Sequence, residues 1–242
     1  MMDVAHFCLT GRFGHFQRAE SGVSALSYPF PPRTALLGLV ATVLGLGKDE
    51  AQVKLEPFQA AVAGRLPVTH WHRVKLRKDP PNRLPNSINS SKAPQKTIRK
   101  EAAALILQEW LFNPEYTVWI SLPENYHGDF VNRLRERRWH FQPCLGLSEM
   151  MADIWFLGSS QARKLPFGRY EVATVMRQKD IRLDIGRVLD QKLALNILRM
   201  PRSVTPDRVF SHDAYVFEKD GRGIPLESAT AHQVDEEVIM FL

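Results

Sequence analysis

Alternation of hydrophobic and polar positions predicts the first elements of the chain. Residues 4–10 alternate, with apolar side chains at the odd positions, and this spacing is typical of a half-buried strand. Residues 11–22 are polar and rich in glycine, which predicts a loop. Residues 33–46 are apolar on most faces and therefore predict a buried helix that ends at Gly47.

Short strand patterns dominate the rest of the chain. Residues 100–112 have helix propensity, but Asn113-Pro114 is a turn signal, so we interpret the segment as a strand paired with residues 116–120. Residues 125–139 have the pattern of a helix with a basic end. Further strands are predicted at 58–62, 68–76, 169–176, 194–200 and 238–241, with a hairpin around Asp220-Gly221.

The order of these elements is strand, helix, strands, helix and strands. This order fits an α+β protein with a ferredoxin-like β-α-β-β-α-β core and an insertion between the two middle strands. The insertion would contain residues 79–97, which are rich in Pro, Asn and Ser and have almost no apolar side chains. A loop of this length is functional or partly disordered more often than it is an ordinary turn.

Composition narrows the class of protein. The 242 residues are 44% hydrophobic, which is enough for a full core, and the formal net charge is +6. A positive net charge of this size is compatible with nucleic-acid binding but does not by itself establish it. The two cysteines, Cys8 and Cys144, are too few for a disulfide framework and predict reduced thiols in a cytosolic protein. We find no signal-peptide pattern and no apolar run long enough for a membrane span.

The clearest charge cluster lies between residues 73 and 100, where Asp79 is the one acidic residue. Such a cluster could bind the phosphates of RNA, or it could be an ordinary solvated loop. Trp71 favours RNA, because it shares a strand face with Arg73, Lys75 and Arg77 and because bases stack on aromatic rings. The candidate contacts in this segment are Trp71, Arg73, Lys75, Arg77, Lys78, Arg83, Asn86, Lys92, Lys96 and Arg99.

A second candidate site is the start of the first helix, in the segment SYPFPPRTALLGL at residues 27–39. Proline suits a first helical turn, and the N–H groups exposed there can bind an anion. Arg33 stands at this end together with the hydroxyls of Ser27, Tyr28 and Thr34. An ordinary buried helix explains the prolines. It does not explain Arg33, because the helix dipole disfavours a cation in the first turn unless an anion is near.

Catalysis is a weaker hypothesis. Metal-independent RNA cleavage needs a general base, an acid and a cation, and His15, His70 and His72 could take part. Histidines at alternate positions suit a structural strand face equally well, and nothing in the spacing fixes a catalytic geometry. The sequence has no zinc-ligand spacing, P-loop, dinucleotide fingerprint or nucleophile elbow, so we predict no metal and no cofactor.

Three motifs, in this order, resemble the CRISPR-associated Cas5 family, a RAMP-type subunit of type I Cascade complexes. Residues 11–46, GRFGHFQRAESGVSALSYPFPPRTALLGLVATVLGL, resemble its N-terminal signature. LQEWLFNPEYTVWISL is similar to the family's middle hairpin, and QPCLGLSEMMADI to its P-x-L-G-x-S-E loop. The type I-B kind is the most similar.

The resemblance implies an RRM-like RAMP palm over residues 1–150, with a long β-hairpin thumb inserted at about 75–100, and a β-rich part over residues 151–242 that completes the fold. Family members hold the 5′ handle of the CRISPR RNA (crRNA) and contact the backbone and large subunits of Cascade, so that target DNA is a partner only indirectly. By this resemblance Arg12, Arg18 and Arg33 would contact phosphates, and the loop from Gly146 to Ser148 would contact the handle.

The resulting prediction is a non-catalytic, cytoplasmic subunit that binds crRNA. Two alternatives stay open: an endoribonuclease that processes precursor crRNA on the same fold, and a generic basic RRM-like RNA-binding protein. One branch of the family cleaves precursor crRNA itself, but the segment at residues 27–39 looks unlike that branch, and we assign no catalytic residue.

Overall fold

An antiparallel six-stranded sheet organises the computed structural model, which describes residues 1–19, 24–47, 49–77 and 103–242. The elements of the first half are β1 (Met2–Thr10), β2 (Phe13–Gly14), β3 (Phe16–Gln17), β4 (Ser24–Ala25), β5 (Ser27–Tyr28), α1 (Arg33–Leu44), α2 (Ala51–Lys54), β6 (Gln59–Gly64), β7 (Val68–Arg77), β8 (Ala103–Phe112), β9 (Glu115–Ser121) and α3 (Glu124–Glu136).

The second half is richer in short strands. It contains β10 (Asp153–Lys164), β11 (Gly168–Val172), β12 (Met176–Arg177), a 3₁₀ turn at Gln178–Asp180, β13 (Ile181–Leu183), α4 (Ile185–Asp190), β14 (Leu195–Val204), β15 (Phe210–Glu218), β16 (Ile224–Ser228), β17 (His232–Val234) and β18 (Glu237–Ile239). The predicted α+β composition is confirmed in its coarse form, since the described residues form mostly β-sheet with few helices.

The central sheet has the strand order β18-β17-β10-β1-β9-β6. Helix α1 connects β1 to β6, and α3 connects β9 to β10. Both helices pack on the same face of the sheet, where Phe7 of β1 and Phe130 of α3 are fully buried with their ring centroids 6.2 Å apart. Alternation along β1 therefore places Ala5, Phe7 and Leu9 in the core, as the sequence pattern predicts.

Three predictions at chain turns need correction. Helix α1 ends at Gly45, in a left-handed conformation with φ of 80°, and not at Gly47. Residues 103–112 do form a strand, but β8 pairs with β7, while β9 pairs with β1 and β6. Asp220-Gly221 forms a turn rather than a hairpin, because β15 pairs with β12 and β14 and β16 pairs with β11 and β13.

The C-terminal strands share the core of the helical face. Hairpin β14–β15 packs against α1, and Phe217 of β15 meets Phe30 edge-on at a ring-centroid distance of 5.0 Å. Both rings are buried, as are Met200 of β14 and Tyr215 of β15 in the same cluster. The helical layer is thus completed by residues far apart in the sequence.

None of the helices in the described part of the chain combines the length and apolar character that crossing a membrane requires.

Candidate nucleic-acid interface

Two glycine-containing loops interlock beside the N-terminal end of α1. The backbone N–H of His15 donates to the carbonyl oxygen of Leu145 at 2.9 Å. Gly146, with φ of +94°, passes so close that a Cβ there would lie 1.9 Å from the carbonyl oxygen of His15. Only glycine allows this approach. The first and third motifs of the sequence therefore form one structural unit.

A groove runs between this unit and the start of α1. Pro32, which precedes α1, and Thr34 in its first turn line the groove together with Gly146 and Leu147, and the groove has a cavity volume of about 590 Å³. The tip of the β14–β15 hairpin closes it with Arg208 and Phe210. The sequence predicted the helix end and the loops, but not the contribution from the C-terminal hairpin.

Arg33 does not point into this groove as an exposed anion ligand. It is 8% exposed, and Nη2 donates to both carboxylate oxygens of Glu56, at 2.8 and 2.9 Å, and to the carbonyl oxygen of Phe58 at 2.6 Å. The carboxylate of Glu56 is therefore the anion that stabilises Arg33 in the first turn of α1. This packing explains Arg33 without a phosphate, because Glu56 already neutralises its charge.

Ser27 and Tyr28 are also held inside the protein. Ser27 is 2% exposed, and its Oγ accepts a hydrogen bond from the N–H of Phe16 and donates one to the carbonyl oxygen of Tyr28. The ring of Tyr28 is buried. Thr34, in contrast, is half-buried and faces the groove. Of the three hydroxyl residues predicted at this helix end, Tyr28 and Thr34 line the groove and Ser27 does not.

The two arginines of the first motif differ in exposure. Arg12 is exposed, and its guanidinium lies 5.6 Å from the ring centroid of Phe13. Arg18 is half-buried, donates from Nε to the carbonyl oxygen of Ser27 at 2.9 Å and packs over the ring of Tyr28. Arg12 therefore presents its charge to solvent, whereas Arg18 also fixes the loop to β5.

Strands β7 and β8 form a hairpin whose faces are largely exposed. Trp71, Arg73 and Lys75 lie on one face, as predicted, and each is exposed. Leu107 and Leu105 are paired opposite the two cations and are 43% and 71% exposed. This face, which we call the basic face, combines apolar side chains with positive charge and is suited to both bases and phosphates.

Much of the predicted cluster lies beyond this face. The backbone of Arg77 ends β7. The remaining predicted contacts of this segment lie outside the described residues: Lys78, Arg83, Asn86, Lys92, Lys96 and Arg99.

The other face of the hairpin carries an aromatic cluster that the sequence analysis missed. The ring of His72 lies on that of Trp110 with centroids 4.2 Å apart, and Phe13 packs against Trp110 and Phe112 at 5.2 and 5.8 Å. These residues come from three separate segments, β2, β7 and β8. Their contacts depend on the pairing of β8 with β7, so no local pattern reveals them.

The predicted histidines have different environments. His70 and His72 are exposed on the hairpin, whereas His15 is 1% exposed, and burial lowers the pKa of its imidazole. Burial likewise raises the pKa of both thiols, Cys8 and Cys144, so neither is an activated nucleophile. Within the described ranges no three His, Cys, Asp or Glu side chains are grouped to hold a metal ion.

Ser148 lies in the second of the two interlocking loops, two residues after Gly146. It is exposed, and its Oγ lies 3.3 Å from a carboxylate oxygen of Glu149. Its neighbour Gly146 serves the packing of the two loops described above.

The fold is that of CRISPR proteins. A solved chain titled "Crystal structure of a CRISPR protein from Archaeoglobus fulgidus" superposes with a TM-score of 0.55 at 15% identity, covering 98% of both chains. A chain of a "CRISPR RNA-guided surveillance complex" superposes with a TM-score of 0.54 at 16% identity, covering 92% of this chain and 91% of that one. At such identities the similarity concerns the fold alone.

The family follows from the sequence. The family described as "CRISPR-associated protein (Cas_Cas5)" matches residues 6–172, more than half of the chain. The protein therefore belongs to the Cas5 family, as the three motifs predicted. A comparison with curated protein sequences gives no match.

Proposed function

We propose that the protein is a non-catalytic subunit of a type I CRISPR interference complex, of the I-B kind, and holds the 5′ handle of the crRNA. The observation that carries this proposal is the basic face of the β7–β8 hairpin, with Trp71, Arg73 and Lys75 exposed together. Membership of the Cas5 family supports the same conclusion.

In this proposal, β1, α1, β6, β9, α3 and β10 form the ferredoxin-like palm. Their sheet order, β10-β1-β9-β6, is the order that this connectivity produces when each helix crosses over one strand. The β7–β8 hairpin would be the root of the thumb, since it is inserted between the two middle strands. RNA would lie along the basic face and reach Arg12 and the groove at α1.

The basic face would bind RNA mainly through charge. Each phosphate that a cation neutralises releases condensed counterions, so affinity falls as salt rises, without regard to sequence. Trp71 and the two exposed leucines opposite the cations offer surfaces on which bases stack. Target sequence would be read by base pairing of the crRNA, with the protein contacting backbone and shape.

The hairpin can be tested by charge removal. Replacing Arg73 and Lys75 together with Ala should weaken binding of a fluorescein-labelled oligouridylate, measured by anisotropy across a salt series. The slope of log K against log salt should fall by about 1.4, because each phosphate contact on a single strand contributes about 0.7.

A matched control removes the same charge elsewhere. Arg182 in β13 and Lys192 in the turn after α4 are both exposed, and neither belongs to the β7–β8 hairpin. Their double replacement with Ala should leave the slope unchanged. Equal slopes for the hairpin variant and the wild type would contradict the proposed function.

The absence of catalysis is tested separately. His15 is buried while His70 and His72 are exposed on the hairpin, so the three do not share one environment. Incubation of the protein with CRISPR repeat RNA without metal should yield no site-specific product. A single cut within the repeat would instead support the endoribonuclease alternative.

The partners in this proposal are the crRNA handle, the backbone subunit and the large subunit of the complex, in the cytoplasm. The similar chain from the surveillance complex supports an assembly of this kind. Co-purification of the full chain with those subunits, with and without crRNA, would test it. Assembly that proceeds equally well without this chain would contradict it.

A further inference from the structure

The groove at the start of α1 contains a buried nitrogen with no partner. His15 lines the groove, and its Nε2 has no hydrogen-bond partner among residues 1–19, 24–47, 49–77 and 103–242. Its other ring nitrogen, Nδ1, lies 2.8 Å from the carbonyl oxygen of Glu109. A carbonyl oxygen only accepts, so Nδ1 carries the proton, and in the neutral ring Nε2 is an acceptor.

A buried acceptor without a donor is costly, because it has lost its water and gained nothing in return. The neutral state itself is favoured by the surroundings, since burial lowers the pKa of His15. The groove therefore offers a hydrogen-bond acceptor to any ligand that brings a donor to its floor.

The rest of the groove fits one nucleotide. Its volume of about 590 Å³ falls within the range of small-molecule sites. The N-terminal end of α1, with Thr34, suits a phosphate. At the rim, Arg208 is exposed, and Phe141 and Phe210 are 57% and 45% exposed, so that a cation and two rings are available to a phosphate and a base.

We propose that this groove takes a single nucleotide of the bound RNA, and that Nε2 of His15 accepts a hydrogen bond from that nucleotide. The donor is either the ribose 2′-hydroxyl or an N–H of the base. His15 is then a specificity-determining residue. The inference rests on the proposed function, because it requires RNA on this side of the molecule.

Two variants test the histidine. In His15→Asn the side-chain amide keeps a donor for the carbonyl of Glu109 and lacks the Nε2 acceptor. His127→Asn is the matched control, because His127 is also buried, also has a pKa lowered by burial, and lies on α3 away from the groove. We expect His15→Asn to bind its preferred oligonucleotide about tenfold more weakly, as expected for one lost hydrogen bond in a buried site.

The readout is discrimination. Affinities are measured for oligo-A, oligo-C and oligo-U in ribo and deoxyribo form. If the donor is the 2′-hydroxyl, His15→Asn loses the preference for ribose. If it is a base N–H, the variant loses the ranking among bases. Loss of affinity that is equal for all six probes, or no change at all, would overturn the inference, because a purely structural role predicts no change in preference.

A groove-filling variant covers the case in which His15→Asn fails to fold. Gly38 is exposed in α1 and lines the groove, and a Cβ there meets no atom within 4 Å. Gly38→Leu should therefore fold, block the groove and weaken RNA binding about tenfold or more, since one stacked base is excluded. Gly128→Leu is the control, because Gly128 is exposed in α3 with the same open space.

The outcomes separate the two proposals. If the hairpin variant lowers the salt slope while Gly38→Leu binds like the wild type, the groove inference fails and the proposed function stands. If the wild-type chain binds none of the probes, both fail.

Discussion

Replacing Arg33 with Met distinguishes a structural cation from an RNA ligand. Its guanidinium is held by Glu56 through two hydrogen bonds from Nη2 and by the carbonyl oxygen of Phe58, and it stacks on the ring of Phe58 at 5.0 Å. A hydrogen bond to a charged group contributes about 1.5–3 kcal/mol net. The side chain of Glu56 is 43% exposed, so water recovers part of its loss.

We therefore expect the variant to lose about 3 kcal/mol of the free energy of unfolding. Most of this loss comes from the hydrogen bond to the carbonyl oxygen of Phe58, and the ion pair with Glu56 contributes less because water screens it. For a chain of this size, that loss lowers the melting temperature by about 6–12 °C. Thermal unfolding followed by circular dichroism measures the change. Below the transition, the oligouridylate affinity and its salt slope should equal those of the wild type.

Arg135→Met is the control. Arg135 is exposed on α3, and its removal should cost less than about 0.5 kcal/mol. The structural assignment of Arg33 would be refuted if Arg33→Met melted at the wild-type temperature and also lowered the salt slope by the amount of one phosphate contact.

Three further changes test other parts of the structure. Gly146→Ala should lower the melting temperature by several degrees, because residue 146 has φ of +94° and a Cβ there would lie 1.9 Å from the carbonyl oxygen of His15. An unchanged melting temperature in calorimetry would contradict the close packing of the two loops. Trp71→Ala should weaken oligouridylate binding about fivefold or more without changing the salt slope, since stacking carries no charge; a changed slope in the anisotropy titration would argue against that role. Glu218→Gln should destabilise the protein by about 2–3 kcal/mol, because its buried carboxylate accepts from three backbone N–H groups and from the guanidinium of Arg222. Burial alone would raise the pKa of Glu218, but these hydrogen bonds prevail and lower it. The carboxylate of Glu218 therefore stabilises the fold fully above pH 4.5, its ordinary pKa, and this stabilisation is lost as the pH falls through the lower pKa of the folded state. Urea melts of the wild type and of Glu218→Gln across this range should converge at low pH.

The sequence predicts most elements because their signals are local. Strand β1 follows from its alternation, and α1 from an apolar run that leaves few polar faces. The exposed face with Trp71, Arg73 and Lys75 follows from the same period of two. In each case the residues that decide the structure are neighbours in the chain.

Interactions between distant segments could not be predicted in this way. The sequence points to a phosphate beside Arg33, because the actual anion, Glu56, reaches Arg33 only after the chain has turned back from α1. The sequence does not reveal the partner of β8, because Asn113 and Pro114 mark a turn both when the next strand pairs with β8 and when it crosses to the central sheet. The groove and its orphan nitrogen on His15 depend on four separate segments.

The contact between Phe30 and Phe217 has a consequence for how the protein is made. Phe30 leaves the ribosome long before Phe217, so the apolar wall beside α1 stays uncovered on the nascent chain until hairpin β14–β15 has been synthesised. The packing of this wall is therefore completed only after the hairpin is available, and polypeptides truncated before it expose an apolar surface that cellular proteases recognise.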